Sequence, residues 1–222
     1  MIATLCFAIL PYAALTCFVV GHFWRWRRDQ FGWTTRTSQL LEHRWLALAS
    51  PLFHVGALLV IAGHVMGLLI PAEATRAVGL ADDAYHLVAV VGGLVGGALL
   101  AAGLVLLLIR RLKFHHRLRL VTTRVDWVLY ALLLAIITIG LIVTFDQSVL
   151  GHYDYRETVS VWFRSLFVLA PDVARIAAAP LVFQLHIGLA FALIALWPFT
   201  RLVHLWSVPL GYLVRPYVVY RA

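Results

Sequence analysis

Charged residues are scarce in this sequence. Only 13% of its 222 residues are Asp, Glu, Lys or Arg, about half of the roughly 25% that is typical of a soluble domain. In their place, 63% of the residues are hydrophobic. A soluble globular fold is thereby excluded, and we predict an integral membrane protein. We expect one membrane-embedded domain, residues 1–222, with no second, soluble domain.

Cysteine is nearly absent, which excludes disulfides and metal sites with cysteine ligands. Cys6 and Cys17 both lie in the first apolar segment, where a helix would hold them about 16 Å apart, too far for a disulfide. No Cys-x-x-Cys motif occurs, so we expect no iron–sulfur cluster or cysteine-bound zinc in this chain. The N-terminus also lacks the basic region that opens a removable signal peptide.

Five apolar stretches each come near the roughly 20 residues that a spanning helix needs. They cover residues 2–24, 46–70, 86–109, 125–145 and 181–206. We therefore predict an all-α membrane protein with five transmembrane helices in a bundle. Residues 158–169 are also apolar but too short to span, which indicates an interfacial helix; a re-entrant segment is the alternative.

Basic residues lie mainly in alternate loops. Segments 25–44 and 110–124 and the C-terminal tail hold 14 of the 18 Lys and Arg residues. The two remaining loops hold seven of the ten acidic residues. The positive-inside rule then predicts that the N-terminus is outside and the C-terminus cytoplasmic. The same distribution accounts for the net charge of +8 without a nucleic-acid partner.

Two of the predicted spans carry two histidines each. His54 and His64 are ten residues apart, about 15 Å along a helix, whereas His186 and His204 are eighteen apart, about 27 Å. Because the two spans are antiparallel, depth pairs His54 with His204 on the inner side and His64 with His186 on the outer side. Imidazole is costly inside a membrane unless it has a partner. The pattern predicts two haem irons, each with two axial histidines, which would transfer electrons without binding oxygen.

The spacing of these histidines leaves a mismatch. The 15 Å and 27 Å separations differ, and ten residues turn His54 and His64 about 80° apart around a helix. We expect crossing or bent helices, or tilted haems, to absorb the difference. For any single membrane histidine, the alternative is a packed residue that is hydrogen-bonded to a neighbour.

Other residues near these spans are weaker candidates. His86 opens the third span, level with the outer pair, either as an interfacial anchor or as a hydrogen-bond or proton partner of a quinol. In residues 91–103, VGGLVGGALLAAG, small side chains would let either a neighbouring helix or a flat cofactor approach closely. Three glycines flank the second-span histidines and are expected to leave room for a macrocycle: Gly56, Gly63 and Gly67.

Three segments resemble the gamma subunit of membrane-bound respiratory nitrate reductase. The C-terminal segment is FQLHIGLAFALIALWPFTRLVHLWSVPLGYLVRPYVVYRA, in which the run Arg201 to Pro209 is the most specific part. The second is SPLFHVGALLVIAGHVMGLL, with both second-span histidines. The third is the basic loop RRLKFHHRLRLVTTRVDWVL. The likeness extends over the whole chain with nearly matching spacing.

The resemblance implies a di-haem cytochrome b in a prokaryotic inner (cytoplasmic) membrane. It implies two haem b groups with the same ligand pairs, and a quinol substrate, menaquinol or ubiquinol. Electrons would pass to an iron–sulfur beta subunit and a molybdenum-containing alpha subunit on the cytoplasmic side, in a possible dimer of heterotrimers. Those subunits would dock on the basic loops and the tail 205–222; attraction to anionic membrane lipid is the alternative role for the loops.

The resemblance also implies a quinol pocket around Gly63 and His64, completed by a lysine near the start of the third span. Ala84 stands at the aligned position, and His86, two residues on, is expected to substitute. The predicted catalytic residues are therefore His64 and His86. The nearest alternative is a gamma-like di-haem cytochrome of a sulfite- or heterodisulfide-reductase-type complex. A cofactor-free transporter is the alternative from another class, although the five spans show no obvious repeat.

Overall fold

A computed structural model describes residues 1–34, 38–150 and 153–207 of the protein. Five helices are long and apolar enough to cross a membrane: α1 (Ile2–Arg28), α2 (Arg44–Leu69), α3 (Asp82–Lys113), α4 (Arg124–Asp146) and α5 (Leu181–Phe199). The described residues contain no strand. The prediction of an all-α bundle with five spans is confirmed.

The spanning helices turn most of their apolar surface outward. In the most apolar 18-residue stretch of each helix, only 11–28% of the residues are buried. Large side chains such as Leu58 and Val88 are about two-thirds exposed. An apolar surface of this extent is stable only in a hydrocarbon environment, because in water it would drive association. The chain is therefore a multi-pass membrane protein.

Glycines bring α2 and α3 into direct backbone contact. A Cβ atom on Gly56 would lie 2.3 Å from the backbone nitrogen of Leu100, and one on Gly103 would lie 2.4 Å from that of Phe53. Gly96 also faces α2, where a Cβ atom would lie 3.0 Å from the Cβ of Leu59. Of the two roles expected for the glycine-rich stretch of the third span, helix packing is the one that these positions serve.

A short helix between α4 and α5, Val159–Phe167, closes one end of the bundle. We call it the loop helix and this end the loop-helix end. Its Trp162 is only 1% exposed and donates a hydrogen bond of 2.9 Å from Nε1 to the carbonyl of Phe7. Its Ser160 hydroxyl donates to the carbonyl of Gly67 at 2.7 Å. The loop helix is thus fixed to α1 and α2 by buried hydrogen bonds.

Buried arginines define the opposite, basic end of the bundle. Arg110 is only 1% exposed, and its Nε lies 2.5 Å from a carboxylate oxygen of Glu42. Burial alone would raise the pKa of Glu42, but hydrogen bonds from the Trp45 backbone N–H and from Arg110 lower it below its usual value. The ion pair fastens the segment before α2 to the end of α3.

The polypeptide at the end of α5 departs from the predicted continuous helix 181–206. The α-helix covers Leu181–Leu196, and a 3₁₀ turn follows at Trp197–Phe199. Thr200 is extended, with φ −108° and ψ −179°, before a second 3₁₀ segment at Arg201–Ser207. Pro198 lacks the N–H group that a continuing helix requires. The prediction that His186 and His204 share one helix is therefore wrong.

Candidate functional site

The four span histidines come together as two pairs. The ring centres of His54 and His204 lie 6.0 Å apart, with the ring planes at 70°. The ring centres of His64 and His186 also lie 6.0 Å apart, with the planes at 26°. These are the pairs expected from depth in the membrane, although His204 reaches its position from outside α5. The interruption of the helix before His204 is a bend of the kind expected from the unequal spacings of the two histidines on each span.

Backbone carbonyls orient three of these rings. The Nδ1 of His54 donates to the carbonyl of Ser50 and that of His64 to the carbonyl of Val60, both at 2.7 Å. The Nδ1 of His204 donates to the carbonyl of Arg201 at 2.6 Å. A histidine whose Nδ1 carries the proton keeps a lone pair on Nε2, which is the state that ligates a metal.

A glycine on α4 makes room for the fourth ring. A Cβ atom on Gly140 would lie 2.9 Å from Cε1 of His186. The Nδ1 of His186 is buried without a hydrogen bond of normal geometry, although the backbone of Ile136 is near enough to act on it electrostatically. His186 is thus held mainly by packing, in a space that any larger residue at position 140 would fill.

The separation of the rings fits a metal centre between them. Metal–nitrogen bonds of about 2 Å place the centres of two imidazoles on opposite sides of one ion roughly 6 Å apart. A direct hydrogen bond between the rings would bring the centres to roughly 5 Å. Each pair also supplies two nitrogens, the number that a haem iron requires in addition to its porphyrin ligands.

The glycines beside the histidines divide into two groups. Cβ atoms on Gly63 and Gly188 would meet no other atom within 4 Å, so the backbone is accessible next to His64 and His186. The expectation that Gly56 and Gly67 also leave room for a macrocycle is wrong. Gly56 packs against α3, and the ring of Tyr155 lies against Gly67. A Cβ atom on Gly67 would be 3.0 Å from the tyrosine oxygen.

A cluster at the loop-helix end could not be anticipated from the sequence. The hydroxyl groups of Tyr85 and Tyr155 lie 3.5 Å apart, and the guanidinium of Arg156 lies 3.8 Å from the centre of the Tyr85 ring. Burial raises the pKa of Tyr155. Half-buried His86 follows Tyr85 on the first turn of α3, and Ala84 precedes it. Tyr85 and His86 lie near the start of α3, whereas Tyr155 and Arg156 lie in the segment before the loop helix, and no spacing in the sequence relates the two.

At the basic end, the structure adds an ion pair behind His204. The carboxylate of Asp126, on α4, accepts hydrogen bonds from Nε and Nη2 of Arg201 at 2.9 and 2.7 Å. Burial would lower the pKa of Arg201, but Asp126 raises it above its usual value. The sequence places both charges near predicted helix ends, but it does not reveal that they meet. The tail after 207 and His152 lie outside the described residues.

Comparison with known proteins gives a consistent result. Residues 3–222 match the family model described as nitrate reductase gamma subunit. The chain is 45% identical to the nitrate reductase gamma chain of Bacillus subtilis, over 96% of this chain and 95% of that protein. It is 35% identical to the respiratory nitrate reductase 1 gamma chain of Escherichia coli, over 97% and 96%.

A longer relative contains this unit as one part. The chain is 50% identical over its whole length to the nitrate reductase-like protein NarX of Mycobacterium tuberculosis, but it spans only 34% of that protein. The family match nevertheless covers almost the whole chain, and the B. subtilis and E. coli relatives match nearly end to end. The chain therefore belongs to the nitrate reductase gamma subunit family.

Proposed function

We propose that this chain is the di-haem b cytochrome subunit of a respiratory nitrate reductase and that it oxidises quinol. The observation that supports this most directly is the arrangement of the two histidine pairs, each with ring centres 6.0 Å apart. His64 and His186 would hold the outer haem b and His54 and His204 the inner one. When bound, each haem would supply one-electron transfer with both axial positions filled by histidine.

Quinol would be oxidised at the loop-helix end, which we place on the outer face of the cytoplasmic membrane. His64 and Gly63 are the residues proposed to contact it. The Nδ1–H of His64 is already donated to the carbonyl of Val60, so a quinol oxygen would have to share this proton. Oxidation of a quinol releases two electrons and two protons, and His86, near the start of α3, is proposed to accept one of these protons. Ala84 supplies no charge there.

Electrons would then travel towards the basic end, which we place in the cytoplasm. His54 and His64 are ten residues apart on the same unbroken helical segment, Arg44–His64, about 15 Å along its axis. The partners proposed at the basic end are an iron–sulfur beta subunit and a molybdenum-containing alpha subunit. Nitrate would be reduced by those subunits and not by this chain.

The proposal is tested by dithionite-reduced minus oxidised spectra of membranes that contain the wild-type chain, His64→Ala or His204→Ala. We expect two b-type components in the wild type, with a different one lost in each variant. His116→Ala, which changes an exposed histidine of the basic loop, is the control and should retain both. Reduction by menaquinol and by ubiquinol then ranks the substrates. A wild-type chain without b-type absorption would refute the proposal.

A further inference from the structure

His204 is the one histidine of the four that no membrane-spanning helix positions. It lies in the 3₁₀ segment Arg201–Ser207, beyond the extended residue Thr200. A 3₁₀ segment has poorer hydrogen-bond geometry than an α-helix and is rarely stable beyond a few residues by itself. Something outside this segment must therefore fix the position of the His204 ring opposite His54.

The first external connection comes from α4. Asp126 is only 2% exposed, and its two carboxylate oxygens accept from Nε and Nη2 of Arg201. The backbone carbonyl of that same arginine accepts the Nδ1–H of His204 at 2.6 Å. Asp126 is itself fixed by a reciprocal capping interaction with Thr123 at the start of α4. Three residues thus connect the end of α4 to the imidazole.

The second connection comes from α1. Arg25 is only 5% exposed, and its Nη1 donates to the carbonyls of Pro198 and Thr200 at 2.6 and 2.9 Å. Its Nη2 donates to the carbonyl of Gly32 at 2.8 Å. The carbonyls of Pro198 and Thr200 lie where the helix is interrupted, just before the 3₁₀ segment that carries His204. Arg25 therefore fastens the interrupted part of the chain to α1.

We propose that Asp126 and Arg25 are positioning residues for His204, which hold it from α4 and α1 in the orientation that the inner site requires. This inference rests on the proposed function, because it takes His204 to be a haem ligand. Groups that orient a metal ligand through a hydrogen bond change metal affinity by about 10–100-fold when they are removed. His64, whose position is set inside α2, needs no such ion pair.

The test compares the two b-type components in Asp126→Asn with those of the wild type. We expect the content of the inner component, the one lost in His204→Ala, to fall at least about tenfold. The outer component should stay at its wild-type level, which also shows that the variant has folded. The matched control is Asp172→Asn, because Asp172 and Arg175 form an exposed ion pair of 2.9 Å at the loop-helix end. The control should keep both components.

Two further measurements separate positioning from general stability. The double variant Asp126→Asn with Arg201→Gln leaves no unpaired cation buried. Its inner component should nevertheless stay low, because the connection from α4 to the backbone of Arg201 is lost; recovery to the wild-type content would overturn the positioning role of Asp126. In Arg25→Lys, which cannot reach all three carbonyls, the electron paramagnetic resonance signal of the inner low-spin ferric haem should shift. That signal depends on the angle between the two imidazole planes, which is 70° here.

An inner component of unchanged content and unchanged resonance in both Asp126→Asn and Arg25→Lys would overturn the inference. It would also be overturned if both components fell equally, because the two residues would then act on the fold as a whole. In either case, two b-type components in the wild type would leave the proposed function standing. A wild type without them would refute that function before any variant is compared.

Discussion

The two ends of the bundle hold their histidine pairs by different means. At the loop-helix end, His186 lies inside the α-helix Leu181–Leu196, and His64 is the last residue of the α-helix Arg44–His64, which continues directly into the π-helical turn Val65–Leu69. Their ring planes are inclined by only 26°. At the basic end, His54 lies inside a helix, but His204 lies in a separate 3₁₀ segment, and the rings are closer to perpendicular. The same ring separation of 6.0 Å is therefore reached in two ways.

The difference shows how a helix can replace specific contacts. A residue on a spanning helix has its position fixed by that helix, so the pair of His64 and His186 needs little more than the space that Gly140 provides. A residue beyond a helix break needs an external support, and at the basic end buried ion pairs and arginine-to-carbonyl hydrogen bonds provide it. We expect the two sites to fail separately when these different supports are removed.

The largest effect is expected where the two ends share a support, because α2 carries one histidine of each pair. In Gly103→Ala, the new Cβ would lie 2.4 Å from the backbone nitrogen of Phe53, and a backbone atom cannot move aside by a rotamer change. Such overpacking costs about 1–3 kcal/mol, occasionally more. Displacement of α2 should lower both b-type components together in the reduced-minus-oxidised spectrum.

The control for this variant is Gly92→Ala, on the same helix, where a Cβ would meet no atom within 4 Å. It should leave both components at their wild-type content. Loss of only one component in Gly103→Ala would contradict the view that the contact of α2 with α3 supports both sites.

A smaller and more selective effect is expected from Gly140→Ala. The added methyl group would lie 2.9 Å from Cε1 of His186, so the ring must turn or shift. The outer b-type component should decline or change its spectrum, whereas the inner one should be unaffected. If the inner component declined as well, the two sites would not be independently supported.

The smallest effect concerns stability at acid pH and the ion pairs of the two ends. The pKa of Glu42 is lowered in the folded protein, so its pair with Arg110 stabilises the fold at neutral pH. That contribution is fully present above the ordinary pKa of a glutamate and is lost as the pH falls through the lowered pKa. At neutral pH, Glu42→Gln should lower the melting temperature by about 2–4 °C, which corresponds to about 1 kcal/mol.

The comparison for this prediction is Asp82→Asn at the other end. Asp82 pairs with Arg76 at 2.9 Å, but both side chains are about half exposed, and exposed ion pairs contribute little to stability. Its melting temperature should therefore match that of the wild type at neutral pH. The difference between Glu42→Gln and the wild type should disappear in acid. A difference that stays constant after the carboxylate has been protonated would show that charge on Glu42 is not the cause.

Much of the bundle could be predicted because a membrane imposes strong local rules. A spanning helix must be apolar over its full length, so the predicted first four spans agree with their observed bounds to within a few residues. The predicted fifth span is too long, because residues 202–206 are again mostly apolar. The distribution of apolar residues in a sequence does not indicate where the backbone of a helix is interrupted.

Pairs of histidines could be predicted from their depth, whereas the groups around them could not. Depth follows from residue counting along antiparallel helices, and it led to the pairs that the structure brings together. Rotation about the helix axis decides which residue of another helix faces a histidine. For that reason neither Gly140 behind His186 nor the ion pair between Asp126 and Arg201 was expected.

Residue composition and spacing are enough to define an α-helical membrane protein of five spans, with its span histidines at two depths. Composition and spacing along single helices suffice for that, because the bilayer constrains each segment separately. Tertiary structure decided which glycines pack and which remain accessible, and it decided that α5 ends before His204. It also decided that charges from α1 and α4 meet at that break, because such contacts depend on how helices turn towards one another.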